Sequence, residues 1–120
     1  MIRSNLQASE NLSEEERKKV VRELKLGYLN LSEELFDQAE MNFMLALQYD
    51  SKCADAYWGL MLEKCHVRDE QDLFSNPVTY KEVMFLNEYE RAFEFATEDQ
   101  KKYYNEILER IYAINEGEKY

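Results

Sequence analysis

Apolar residues at helical spacing, with almost nothing to interrupt them, restrict this chain to an all-α fold. The pattern opens at Ser13-Glu14-Glu15-Glu16, a capping box in which the serine oxygen takes the Glu16 amide proton while Glu16 reaches back. Val20, Val21, Leu24, Tyr28 and Leu31 follow three to four residues apart, on one helix face. Three Gly and one Pro are too few, in 120 residues, for the turns of a β sandwich or barrel. Gly27 sits inside the first helix, where it costs about 1 kcal/mol relative to alanine. A glycine kept there predicts the close approach of another helix.

A second helix is expected over 34–49, with Phe36, Ala39, Phe43, Ala46 and Leu47 on one stripe. Leu35, Met44 and Leu45 add a second apolar side, which predicts a helix sandwiched between neighbours, and Glu33-Glu34 reads as its acidic first turn. Asp50-Ser51-Lys52 breaks it. The third helix, 53–67, carries Tyr57, Leu60, Met61 and Lys64 on one face and Trp58, Leu62 and Cys65 on the other. Periodicity then fails over 68–83, with a turn signal at Asn76-Pro77 and a capped turn at Thr79-x-x-Glu82. It returns with Phe85, Tyr89, Phe93 and Ala96, where Asn87-x-x-Glu90 is a start signal. Thr97-Glu98-Asp99-Gln100 is a further capping box. It opens a last helix that buries Tyr104, Ile107, Ile111 and Ile114, supported by Glu98→Lys102 and Glu106→Arg110 pairs and closed at Gly117. The expected organisation is a flexible segment 1–12, one domain of five helices over 13–117, and a tail 118–120.

The charge narrows the partners. Fifteen Lys+Arg against 25 Asp+Glu give a net charge of −10, spread through both halves of the chain. A field of that sign repels phosphate backbones, so nucleic acid is not an expected partner. The longest apolar run, 56–62, falls far short of the ~20 residues a bilayer needs, and the first residues lack a secretory apolar region. Two cysteines are too few for a disulfide scaffold, which points to reduced thiols and a cytoplasmic setting.

Cys53, Cys65 and His66 are the residues with metal-binding or nucleophilic chemistry. Consecutive helical side chains point about 100° apart, which separates Cys65 from His66, and Cys53 lies about three turns away. A structural zinc site needs four ligands, and three are present. Cys–His catalysis needs both groups in hydrogen-bond reach with a third to orient them, which adjacent residues on one helix do not provide. A histidine at a helix end serves instead as a capping cation. Neither a catalytic residue, a metal site nor a cofactor is expected.

A repeat lies within the pattern. Leu26-Gly27 precedes Ala39-x3-Phe43-x2-Ala46, with Asp50 four residues further on, and Phe36-Asp37-Gln38-Ala39 leads into it. This arrangement resembles the 34-residue tetratricopeptide repeat, and 34 residues beyond Leu26 the chain reaches Leu60, within the aromatic-rich Ala56-Tyr57-Trp58-Gly59. Phe93-x2-Ala96 falls 50 residues after Phe43, 16 more than the period, which is the length of 68–83. That stretch therefore reads as an insertion in the second repeat. Glu23, Asn30, Ser51 and Tyr89 depart from the family pattern, which prefers Trp, an aromatic, Pro and Ala at those places. The Ala-Tyr-Trp-Gly-Leu stretch with its Cys-His-Val segment also resembles a recurrent bacterial module that accompanies a zinc ribbon, although no Cys-x2-Cys pair occurs here.

The resemblance implies antiparallel helix pairs in a right-handed array of about 1.5–2 repeats with a C-terminal capping helix. It implies a non-enzymatic adaptor that holds a peptide or helix of a partner protein in a helical groove, the acidic surface favouring a basic partner. Phe74 and Tyr80 in the insertion are candidate anchors, with Asn30, Trp58 and Lys64 as further partner-binding candidates; the alternative for the two aromatics is that they pack on the scaffold. The chain is expected as a monomer or homodimer. A small acidic chaperone for a secretion or assembly substrate is the alternative function, and an enzyme or metal protein using Cys53, Cys65 and His66 is the third.

Overall fold

A computed structural model describes residues 6, 8–9, 11–75, 83 and 86–117. Six helices run through them, with no strand among the described residues: α1 Glu14–Ser32, α2 Phe36–Tyr49, α3 Ala54–Lys64, α4 Glu70–Ser75, α5 Asn87–Phe95 and α6 Glu98–Gly117. The all-α class is as expected, and α4 is a helix that the periodicity does not predict.

Both capping boxes form. Ser13 Oγ accepts from the Glu16 amide at 3.1 Å while Glu16 Oε1 accepts from the Ser13 amide at 3.1 Å. Thr97 and Gln100 exchange the same pair of bonds at 3.2 and 2.8 Å. Asn87 does not cap α5, whose N-cap is Leu86 without a side-chain bond. Glu98 pairs with Lys101 at 3.8 Å, one residue short of the expected Lys102.

The ends of α1 and α3 share a device that local pattern does not announce. The Leu35 amide donates to the Asn30 carbonyl at 2.9 Å and the Glu34 amide to Leu31 at 3.0 Å, with Glu34 at φ 62°. Val67 donates to Leu62 at 3.2 Å and His66 to Glu63 at 2.9 Å, with His66 at φ 56°. Each is a Schellman closure in which the left-handed residue is not glycine. Glu33-Glu34 thus finishes α1 rather than starting α2, and α3 stops at Lys64 because the chain reverses at His66.

The helix α4 lies inside the stretch expected to be aperiodic. Asp69 Oδ1 accepts from the Asp72 amide at 3.1 Å, a helix cap. Arg68 grips Asp72 with two side-chain bonds at 2.9 and 3.1 Å, which holds the Asp72 carboxyl below the usual carboxylate range. The turn signals at Asn76-Pro77 and Thr79-x-x-Glu82, like Phe85 and the tail 118–120, lie outside the described residues.

Helices α1 and α2 form an antiparallel hairpin, with Lys19 Nζ 5.5 Å from the Tyr49 ring centroid at one end and Asn30 bonded to Asn42 towards the other. α3 packs on both, and α5 packs on α3 across the intervening segment. The Phe43 ring fills the space left by the missing side chains of Gly27 and Gly59, which fulfils the close approach that Gly27 predicts. Tyr28 Oη closes the contact by donating to the Asp55 carbonyl. α3 is the helix sandwiched on nearly every side, with Trp58, Leu60, Met61 and Leu62 all buried. α2 buries a single stripe of Ala39, Phe43 and Ala46; Leu35, Met44 and Leu45 stay exposed, and none of the described helices packs over them. Ahead of α1, in the segment read as flexible, Leu6, Ala8 and Leu12 pack against the core. Ser9 donates to Asp50 from its amide at 2.8 Å and its hydroxyl at 2.7 Å.

Candidate functional site

The residues with the most reactive chemistry are set into the scaffold. Cys53 is the N-cap of α3 and is buried, and burial pushes its thiol up to about 12. Cys65 is half-buried at the C-cap of α3, and the exposed His66 ring meets Phe36 edge-on with centroids 5.0 Å apart. No group of three or more His, Cys, Asp or Glu among the described residues is placed to hold a metal ion.

The candidate partner-binding residues fall in different places. Trp58 is 1% exposed, so its side chain offers a partner no surface. Its indole stacks on Tyr104 at 4.1 Å between centroids, and its Nε1 donates to Glu70 Oε2 at 3.1 Å. Tyr103 Oη donates to the same Glu70 oxygen at 2.9 Å, so one buried carboxylate joins α3, α4 and α6. Phe74 is half-buried on α4 beneath Arg110, whose guanidinium carbon lies 4.2 Å from the ring centroid. α4 thus rests on α6 at Phe74. Tyr80 lies outside the described residues. Lys64 is exposed at the end of α3. An open depression of about 530 Å³ on α6 is lined by Phe93 and by side chains of both charges, among them Lys101, Lys102, Glu106 and Glu109.

Asn30 belongs to a more extended feature. Its side-chain amide donates to Asn42 Oδ1 at 2.7 Å, and the Asn42 amide donates to Glu23 Oε2 at 3.0 Å. These bonds trace the seam between α1 and α2. Phe43 and Gly27 lie on the side of the seam that faces α3. On the opposite side, α1 presents Lys19, Arg22, Leu26 and Leu29, followed by its C-cap residue Glu33, spaced alternately three and four residues apart. α2 presents Gln38, Met41, Leu45 and Gln48 at the same spacing. Leu26 is 37% exposed, Leu29 52%, Met41 66% and Leu45 36%. Two adjacent helices therefore share an apolar strip with polar ends, facing away from the rest of the fold. In the sequence, Leu45 counts towards a second apolar side of its helix and Leu26 towards the repeat, while Leu29 and Met41 fall in neither. The signal available was the repeated three–four spacing outside the Val20–Leu24–Leu31 stripe.

No family model, curated protein or solved structure matches the chain.

Proposed function

We propose that this chain is a non-enzymatic protein-interaction module that works through the outer face of α1 and α2. The carrying observation is the uncovered strip of Leu26, Leu29, Met41 and Leu45 in a chain of net charge −10. A contiguous apolar patch with a polar rim costs solubility, and it marks a surface that another protein covers.

The fold reading is a tetratricopeptide-like array of about 1.5–2 repeats. It is supported by the pairing of α1 with α2 and of α3 with α5, and by the Phe43 ring lodged against Gly27 and Gly59. In such arrays each repeat buries its face against the next, and the end repeats need polar outer faces. The outer face of α1 and α2 instead carries the exposed strip Leu26, Leu29, Met41 and Leu45, which supports a partner there.

A double variant tests the reading. Leu29→Arg with Met41→Glu alters two exposed side chains, so helix content and Tm should hold within the small range of surface substitutions. Immobilised native chain and variant are compared for what they retain from the source cell's lysate, including further copies of the chain. Loss of a retained protein from the variant supports the face. Identical retention by both removes the reading.

A further inference from the structure

Resting on that reading of the outer face, the geometry points to a second copy of this chain as its occupant. We infer a two-fold dimer with its axis at Leu26, in which α1 of one copy runs antiparallel to α1 of the other. The charge pattern along α1 carries the argument. Lys19 lies seven residues before Leu26 and Glu33 seven after, about 10.5 Å either way at 1.5 Å per residue. A two-fold axis at Leu26 therefore sets Lys19 opposite the partner's Glu33, twice over. Arg22 falls between the partner's Leu29 and the partner's Glu33 on the same stripe. A parallel arrangement would set Lys19 on Lys19 and Glu33 on Glu33, which like-charge repulsion disfavours.

The rest of the face suits a copy of itself. The three–four spacing on both α1 and α2 is the seam pattern of helices packed near 20°, so two hairpins would close as a four-helix bundle. Leu26, Leu29, Met41 and Leu45 would form its interior. The Glu23–Asn42–Asn30 bonds are satisfied within one chain and need no partner to complete them. A net charge of −10 makes most surfaces of this chain repel a second copy. On the outer stripes, by contrast, Lys19 and Arg22 stand against Glu33, so a copy does not meet a face of one sign there.

Sedimentation equilibrium at micromolar concentration should give a mass twice the 14.4 kDa of the chain. Lys19→Glu and Glu33→Lys, each alone, turn both symmetric pairs repulsive and should weaken association roughly ten-fold or more. Mixed in equal amounts, the two variants should associate as tightly as the native chain, because each then presents the charge the other lacks. A native chain that stays monomeric overturns the inference. So do single variants that dimerise as tightly as the native chain, or a mixture no tighter than its components. If the native chain is monomeric while the Leu29→Arg, Met41→Glu variant still loses a retained protein, the second copy is wrong and the interaction reading stands.

Discussion

The Phe43 ring occupies the volume that a Cβ on Gly27 would need, since that atom would lie 2.5 Å from Phe43 Cε1. The ring cannot retreat, because a Cβ on Gly59 would also come within 2.5 Å of the same atom and Tyr28 meets the ring edge-on at 4.9 Å. Gly27→Ala gains about 1 kcal/mol of helix propensity but overpacks a closed slot, at a cost of about 1–3 kcal/mol. The net change should be destabilising, read as a lower urea midpoint. A raised midpoint would mean that α1 and α2 separate more readily than the slot implies.

Glu70 should matter more than its place in a short helix suggests. Glu70→Ala strips the acceptor from the buried Trp58 indole N–H and from Tyr103, a loss of about 1–3 kcal/mol for the orphaned donors. Amide exchange over α4 should quicken in the variant, and the tryptophan emission should shift to the red. Unchanged exchange would place the anchor of α4 elsewhere, at Leu73 or Phe74.

The two thiols should differ in reactivity. Cys53 is buried and, with its thiol held up to about 12, stays protonated at neutral pH, whereas Cys65 is half-buried. A thiol reagent at pH 8 should label one cysteine rapidly in the native chain and both in denaturant. Peptide mapping should assign the fast site to Cys65.

Glu63 gives the chain a pH dependence of definite sign. Burial first, and then the charge of Glu40, push its carboxyl above the ordinary range. Its Oε2 is buried without a hydrogen-bond partner among the described residues. A carboxyl raised in the folded state costs nothing below its unfolded pKa, and its cost appears as pH rises through the folded value. Glu63→Gln should therefore stabilise the chain at pH 7, with a gain that shrinks as pH falls towards 4.5. A gain independent of pH would assign the effect to packing.

Local bonding made much of the fold legible. The boxes at Ser13 and Thr97, the glycine at 27 and the Val20–Leu24–Tyr28–Leu31 stripe depend on atoms within a few residues and appear as read, although Val21, counted on the same stripe, is only half-buried. The start of α4 was legible too, in the Asp69-x-x-Asp72 cap, but the failure of apolar periodicity around it concealed the signal. The left-handed closure at Glu34 was not legible, because glutamate does not favour that backbone, whereas His66 was legible at a helix end but not as the residue where the chain reverses.

Helix type, and the starts of α1 and α6, follow from spacing and capping, which the order of residues determines on its own. Which apolar face is covered does not. Leu45 reads as part of a second covered side of its helix and lies exposed, while Trp58, a candidate for a partner's pocket, is enclosed by Tyr104 and Glu70. Those partners are 46 and 12 residues away, and nothing local distinguishes a stripe that meets another helix from one that meets water. Burial is a property of what arrives opposite, so the tertiary packing of α3, α4 and α6 settled it for Trp58 and left the outer face of α1 and α2 uncovered.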